Sequence, residues 1–100
     1  MHKPERLSAF LQTLSDANRI RILRFMELED CTVNEIVNAL ALSQPLVSHH
    51  LKVLRKNGIL TTTRVGPFIY YRLNDPLVLQ GLDLFSTICE TRHFSEAVFN

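Results

Sequence analysis

The chain is poor in the residues and patterns that most enzyme chemistry requires. Its 100 residues hold two cysteines, Cys31 and Cys89, far apart in sequence. Such a pair builds no disulfide framework, and in a reducing compartment both are thiols by default. With no Cys-x-x-Cys pair, no glycine-rich phosphate loop and no Ser-His-Asp spacing, a small hydrolase or redox enzyme finds no support, so an enzyme is not expected. No run of eighteen or more apolar residues occurs, so no membrane span is expected. The opening Met-His-Lys-Pro-Glu-Arg lacks the apolar core of a secretory signal, which makes a cytoplasmic location the expectation. Low-complexity segments, linkers and internal repeats are missing too, so residues 1–100 are expected to form one domain. A domain of this size buries a modest share of its surface and is marginal as a monomer.

What is present is unevenly distributed. The net charge is +1, but residues 31–74 carry Lys52, Arg55, Lys56, Arg64 and Arg72 against Glu35 alone, a local balance of +4. Residues 75–100 stand at −3, and residues 1–30 balance. The positive field therefore lies in the middle of the chain, although five cations alone are compatible with an ordinary solvated surface.

Hydrophobic periodicity predicts a succession of short elements. Leu7, Phe10, Leu11 and Leu14 mark a first amphipathic helix. Asp16 is a good N-cap for a second, with Ile20, Ile22, Leu23 and Met26 on its apolar side. Thr32 and Glu35 match a capping box for a third, whose apolar face is Val33, Ile36, Val37 and Leu40. After the short link Ala41-Leu42, residues 43–57 read as a fourth helix. Ile59–Val65 and Phe68–Leu73 form a hairpin broken at Gly66-Pro67. Asn74-Asp75-Pro76 then caps a last helix, whose stripe through Val78, Leu82, Phe85 and Cys89 is widened by Leu77, Leu84 and Ile88. The fold class is mainly α (α+β): a winged helix-turn-helix of order α-α-α-α-β-β-α. Its helix-turn-helix spans 32–57 and its wing 59–73. Helices 5–14 and 75–97 have apolar surface to spare and are expected to form a homodimer interface.

The fourth helix carries the most chemistry. Ser43 suits the N-cap, Pro45 is tolerated in the first turn, and Gly58 stands where a left-handed residue ends a helix. Val47, His50, Leu51 and Leu54 recur at helical spacing as a buried row, which makes His50 a core histidine with a satisfied nitrogen. The opposite face presents Gln44, Ser48, His49, Lys52, Arg55 and Lys56. Short hydrogen-bonding groups come first and cations last, as a helix entering a DNA major groove by its N-terminus needs.

These residues carry a resemblance. Leu14–Leu23 and Ser43–Leu60 are similar to the second-helix and recognition-helix signatures of the ArsR/SmtB family, and Tyr70-Tyr71-Arg72-Leu73 resembles the end of its wing. The resemblance covers roughly residues 5–95. It implies a homodimeric transcriptional repressor that binds double-stranded DNA at an inverted repeat and is released by an inducer, often a metal ion or a reactive sulfur or arsenic species. Carried over by position, Ser43, Gln44, Pro45, Ser48 and His49 approach bases and nearby phosphates, while Lys52, Arg55 and Arg64 hold the backbone. The wing tip Val65-Gly66-Pro67-Phe68 departs from the family's basic cluster. The alternatives are a winged helix used for protein–protein contact and a DNA-binding regulator with no metal or redox sensor site.

The family's metal sites are incomplete here. A Cys-x-Cys pair opening the third helix is replaced by Thr32 and Asn34, with Cys31 one residue out of register. On the last helix, His93 and Glu96 fit half a pattern, whereas Asp83 is followed two residues later by Phe85 in place of histidine. No cofactor is required, and a metal ion as inducer lacks a complete ligand set. The candidate sensor residues are Cys31, whose acidic neighbours raise its pKa, and Cys89 with His93 four residues on. The inducer itself is not readable.

Overall fold

A computed structural model describes residues 3–91 as five helices and one two-stranded sheet. The helices are α1 (Pro4–Leu14), α2 (Ala17–Phe25), α3 (Val33–Leu40), α4 (Gln44–Lys56) and α5 (Leu77–Thr91), with β1 (Leu60–Val65) and β2 (Phe68–Leu73) between the last two. This is the winged helix-turn-helix order read from the sequence.

Local chemistry sets the helix boundaries. Asp16 accepts a hydrogen bond from the Arg19 backbone amide at 3.1 Å, starting α2. At α3 the Thr32 hydroxyl accepts from the Glu35 amide (3.2 Å), and the Glu35 carboxylate accepts from the Thr32 amide (3.0 Å). This reciprocal pair satisfies two donors that the first turn leaves open. Ser43 caps α4 by accepting from the Leu46 amide. That helix ends in a Schellman pattern: the Gly58 amide donates to the Arg55 carbonyl and the Ile59 amide to the Leu54 carbonyl, each at 3.0 Å. Gly58 has φ +78° and open space where a Cβ would stand, so glycine is favoured there by backbone conformation and not by crowding.

The turn between α3 and α4 is tighter than its residues suggest. Ala41 ends α3 in the left-handed region at φ 55°, an uncommon conformation for a residue with a Cβ. The Arg21 guanidinium, on α2, donates to the Leu40 carbonyl at 3.2 Å and so satisfies one of the carbonyls at this helix end.

The strands are antiparallel, from Leu60 opposite Leu73 to Val65 opposite Phe68, with Gly66 and Pro67 at the tip. Cys31 extends this sheet as a single-residue bridge to Tyr71: its amide donates to the Tyr71 carbonyl (3.0 Å), and its carbonyl accepts from the Tyr71 amide (2.7 Å). The segment before α3 is thereby stitched to the wing.

The core gathers Ile22, Leu23, Ile36, Val47, Leu51, Leu54, Ile59 and Leu60, with Leu79 and Leu82 from α5. The expected α5 stripe needs correction. Leu79 and Leu82 are buried and Val78 packs beside them, whereas Phe85 and Cys89 are exposed. The C-terminal half of α5 extends beyond the core, so residues at the right helical spacing have nothing of their own protomer to cover them.

Candidate nucleic-acid interface

The two faces of α4 are as different in the structure as in the sequence. Val47, His50, Leu51 and Leu54 are buried, while Ser43, Gln44, Pro45, His49, Lys52, Arg55 and Lys56 are exposed and Ser48 is half-buried. The Gln44 side-chain amide donates to the Ser48 hydroxyl at 3.0 Å, which holds these two groups together one turn apart at the start of the helix. The side chains of Lys52 and Arg55 continue that face toward the C-terminus. Arg64 is exposed near the outer end of β1, opposite Ile69. An open cleft of about 470 Å³ lies between the start of α3 (Thr32 to Glu35) and the wing (Pro67 to Tyr70), and Gln44 is the α4 residue on its border.

The adjacent histidines part as expected, with ring centroids 5.5 Å apart: His49 is exposed and His50 buried. The expected satisfied nitrogen is not found. His50 Nδ1 has no hydrogen-bond partner among the described residues, and Nε2 stands 3.8 Å from the Asp16 carboxylate, beyond hydrogen-bonding range. Helical spacing points the ring inward, but Asp16, which caps α2, stands too far from it to accept a hydrogen bond.

Burial pushes the His50 pKa below its ordinary 6.5, helped by nearby Arg19 and His49 and opposed by Asp16. The unfolded chain therefore binds more protons just below that value, so the stability His50 supplies as a neutral ring is present above pH 6.5 and declines as the pH falls through this window. The Asp16 carboxyl is lowered from 3.8, chiefly by the Arg19 backbone amide; its contribution is present above that value and is lost as the pH falls further. Melting temperature should accordingly drop in two stages on acidification, and His50→Gln should flatten the upper one. An unchanged upper stage in that variant would remove His50 from the account.

The sensor candidates are separated. Cys31 is buried, its thiol faces the Glu29 carbonyl at 3.4 Å, and its pKa is pushed up to about 11, first by burial and then by Glu35, Glu29 and Asp30. Burial and this raised pKa both disfavour the thiolate, which is the reactive form of a cysteine. Cys89 is exposed on α5; His93 and Glu96 lie outside the described residues. At the opening of α3, Thr32 and Glu35 are engaged in the capping box. On α5, Asp83 forms an ion pair with Arg24 at 2.6 Å. No group of three or more His, Cys, Asp or Glu among the described residues is placed to hold a metal ion, and no described helix is long and apolar enough to cross a membrane.

Sequence reasoning missed the staple from Arg21 to Leu40 and the bridge from Cys31 to Tyr71. The available signals were weak: an arginine on the polar side of α2, and an isolated residue between an acidic turn and a cap.

Comparison with known proteins agrees with this geometry. The family model for bacterial regulatory proteins of the arsR family matches residues 16–62, which run from the N-cap of α2 through α4 into β1. The arsenical resistance operon repressor of Staphylococcus aureus is 32% identical over 84 residues, 81% of this chain and 81% of that protein. The transcriptional repressor SdpR of Bacillus subtilis (strain 168) is 32% identical over 72 residues, 72% of this chain and 80% of that one. Among solved structures, Rv0081 of M. tuberculosis superposes with a TM-score of 0.79 at 29% identity, covering 97% of this chain and 99% of the other. With the capped α4, its polar exposed face and these relatives together, the chain belongs to the ArsR/SmtB family and is a DNA-binding transcriptional regulator, not an enzyme.

Proposed function

We propose that this protein is a repressor that binds an inverted-repeat operator as a homodimer and is released by a small inducer. The observation that carries the DNA-binding part is α4 itself, with a buried row on one side and exposed polar and cationic groups on the other. Gln44, Ser48 and His49 read base edges, Ser43 and Pro45 bring the helix start close to the duplex, and Lys52, Arg55 and Arg64 hold phosphates. Functionally, residues 32–57 are the reading unit and 59–73 the wing.

Helices α1 and α5 pair the two copies. Leu7, Phe10 and Leu11 on α1 and Leu77, Leu84, Phe85 and Ile88 on α5 are exposed. The two sets adjoin, because Phe10, Ile59, Leu77 and Val78 line one cavity of about 300 Å³. A continuous apolar face of this kind on a small domain is covered by a second copy. In the dimer the two α4 helices stand roughly 34 Å apart, one duplex turn.

For release, a thiol-reactive species at Cys89 is favoured over a metal. Cys89 is exposed on the helix that pairs the copies, Cys31 is buried, and Asp83 is committed to Arg24. An adduct at Cys89 alters the spacing of the two reading helices and so lowers affinity for the operator.

The test is binding to duplexes selected by the protein from a randomised pool, compared with random DNA over a salt series. An inverted repeat should be enriched, and Lys52→Ala or Arg55→Ala should each reduce the salt slope by about 1. Arms with zinc, arsenite, persulfide and oxidant compare the inducer classes, and Cys89→Ser should abolish the thiol response. No preference over random DNA would overturn the repressor reading and leave the protein–protein module.

A further inference from the structure

The wing ends without charge. Between Arg64 and Arg72 the chain runs Val65-Gly66-Pro67-Phe68-Ile69-Tyr70-Tyr71. Val65 and Phe68 pair across the tip and are 58% and 56% exposed. Being directly opposite, they share one face of the hairpin, while Arg64 and Ile69 share the other. In the turn between them Pro67 restricts its own φ, and Gly66 takes φ +60°, which glycine adopts without strain. Apolar side chains held in solvent at the tip call for a partner. The surface they adjoin is mainly the start of α3, Thr32 to Glu35, with Gln44 of α4 at the border of the same cleft as Pro67, Phe68 and Ile69.

We infer that the wing tip is an apolar wedge for the DNA minor groove. Phe68, supported by Val65 and Pro67, enters between two stacked base pairs beside each half-site, and Arg64 holds the flanking phosphate. This rests on the operator-binding reading and adds what the wing contributes to it. An apolar side chain inserted from the minor groove partly unstacks one step and bends the duplex toward the major groove. Pyrimidine–purine steps such as TA and CA open most readily, so the wedge selects sequence outside the half-sites without any base hydrogen bond. A wing that only gripped phosphates would profit from cations at positions 65, 67 and 68, and this chain has none there. A protein partner is the other use of such a tip, but Gln44, which begins the reading face of α4, borders the same cleft, and this favours DNA.

The test uses the full chain and a duplex that the wild-type protein selects from a randomised pool, extended beyond both half-sites. The fluorescent base 2-aminopurine is placed in turn at each flanking step. Wild type should brighten one flanking probe several-fold, bend the duplex and enrich pyrimidine–purine steps at that position. Phe68→Ala should lose all three and bind about tenfold more weakly, as for one lost base–aromatic contact. Phe68→Leu, still an apolar wedge, should retain the bend. Phe68 is exposed, so equal melting temperatures for wild type and Phe68→Ala will show that the loss is not unfolding. Unchanged fluorescence, bend and flanking preference in Phe68→Ala overturn the wedge and leave operator binding intact, the result a protein-docking tip also gives. If the wild type enriches no duplex at all, both readings fail.

Discussion

Replacing Leu51 with alanine should destabilise the fold by about 3 kcal/mol, the middle of the range for emptying a fully buried leucine site, and lower the melting temperature by roughly 10–20 °C. Leu51 is fully enclosed where α4 meets the core formed by α2, α3 and β1. Removing its branched end loses apolar burial and leaves a cavity that the surrounding helices fill only in part. Gln44→Ala and Ser48→Ala lie on the opposite face. They break one exposed side-chain hydrogen bond and should change stability by about 0.5 kcal/mol or less, yet each should weaken operator binding about tenfold by removing a base-edge contact. Ser43→Ala is a poorer probe of binding, because losing the N-cap costs about 1 kcal/mol by itself. Circular-dichroism melts beside gel-shift titrations would separate these effects. Equal losses of stability for Leu51→Ala and Gln44→Ala would mean that the faces of α4 are assigned the wrong way round.

Leu84→Glu with Phe85→Glu should convert the protein to a monomer and cut operator affinity by at least about 100-fold, the avidity contributed when a second half-site is tethered to the first. Leu84 and Phe85 are 68% and 53% exposed, so the folded protomer hardly depends on them. Across an α5–α5 contact they would place unpaired carboxylates in an apolar interface, which costs several kcal/mol unless the copies separate. Sedimentation should show half the mass of wild type, and melting should become independent of protein concentration. A wild-type protein that sediments as a monomer at micromolar concentration would remove α1 and α5 as the pairing surface. A variant that stays dimeric would place the contact elsewhere.

The reading face of α4 is legible in the sequence because its causes are local. Ser43, Gly58 and the row Val47, His50, Leu51 and Leu54 act within a few residues of one another, and an apolar row at helical spacing implies a polar face opposite. The caps at Asp16 and Thr32 are legible for the same reason. The last helix is harder to read. Its spacing shows that Val78, Leu82, Phe85 and Cys89 share a side, but how far the core extends beneath that side is set by segments distant in sequence. Leu82 is covered and Phe85 is not.

The sequence by itself therefore determined the order of elements, the two faces of α4, the uncharged wing tip and the lack of a soft-ligand pair at the start of α3. Each depends on residue type or on interactions within about one helical turn. Tertiary structure alone decided that Cys31 pairs with Tyr71, that His50 is buried without a hydrogen-bond partner, that Asp83 is taken by Arg24 and that Arg21 reaches the end of α3. Those outcomes depend on which distant segments meet and at what distance. Periodicity gives the direction in which a side chain points along its own helix, and it carries no information about what stands opposite.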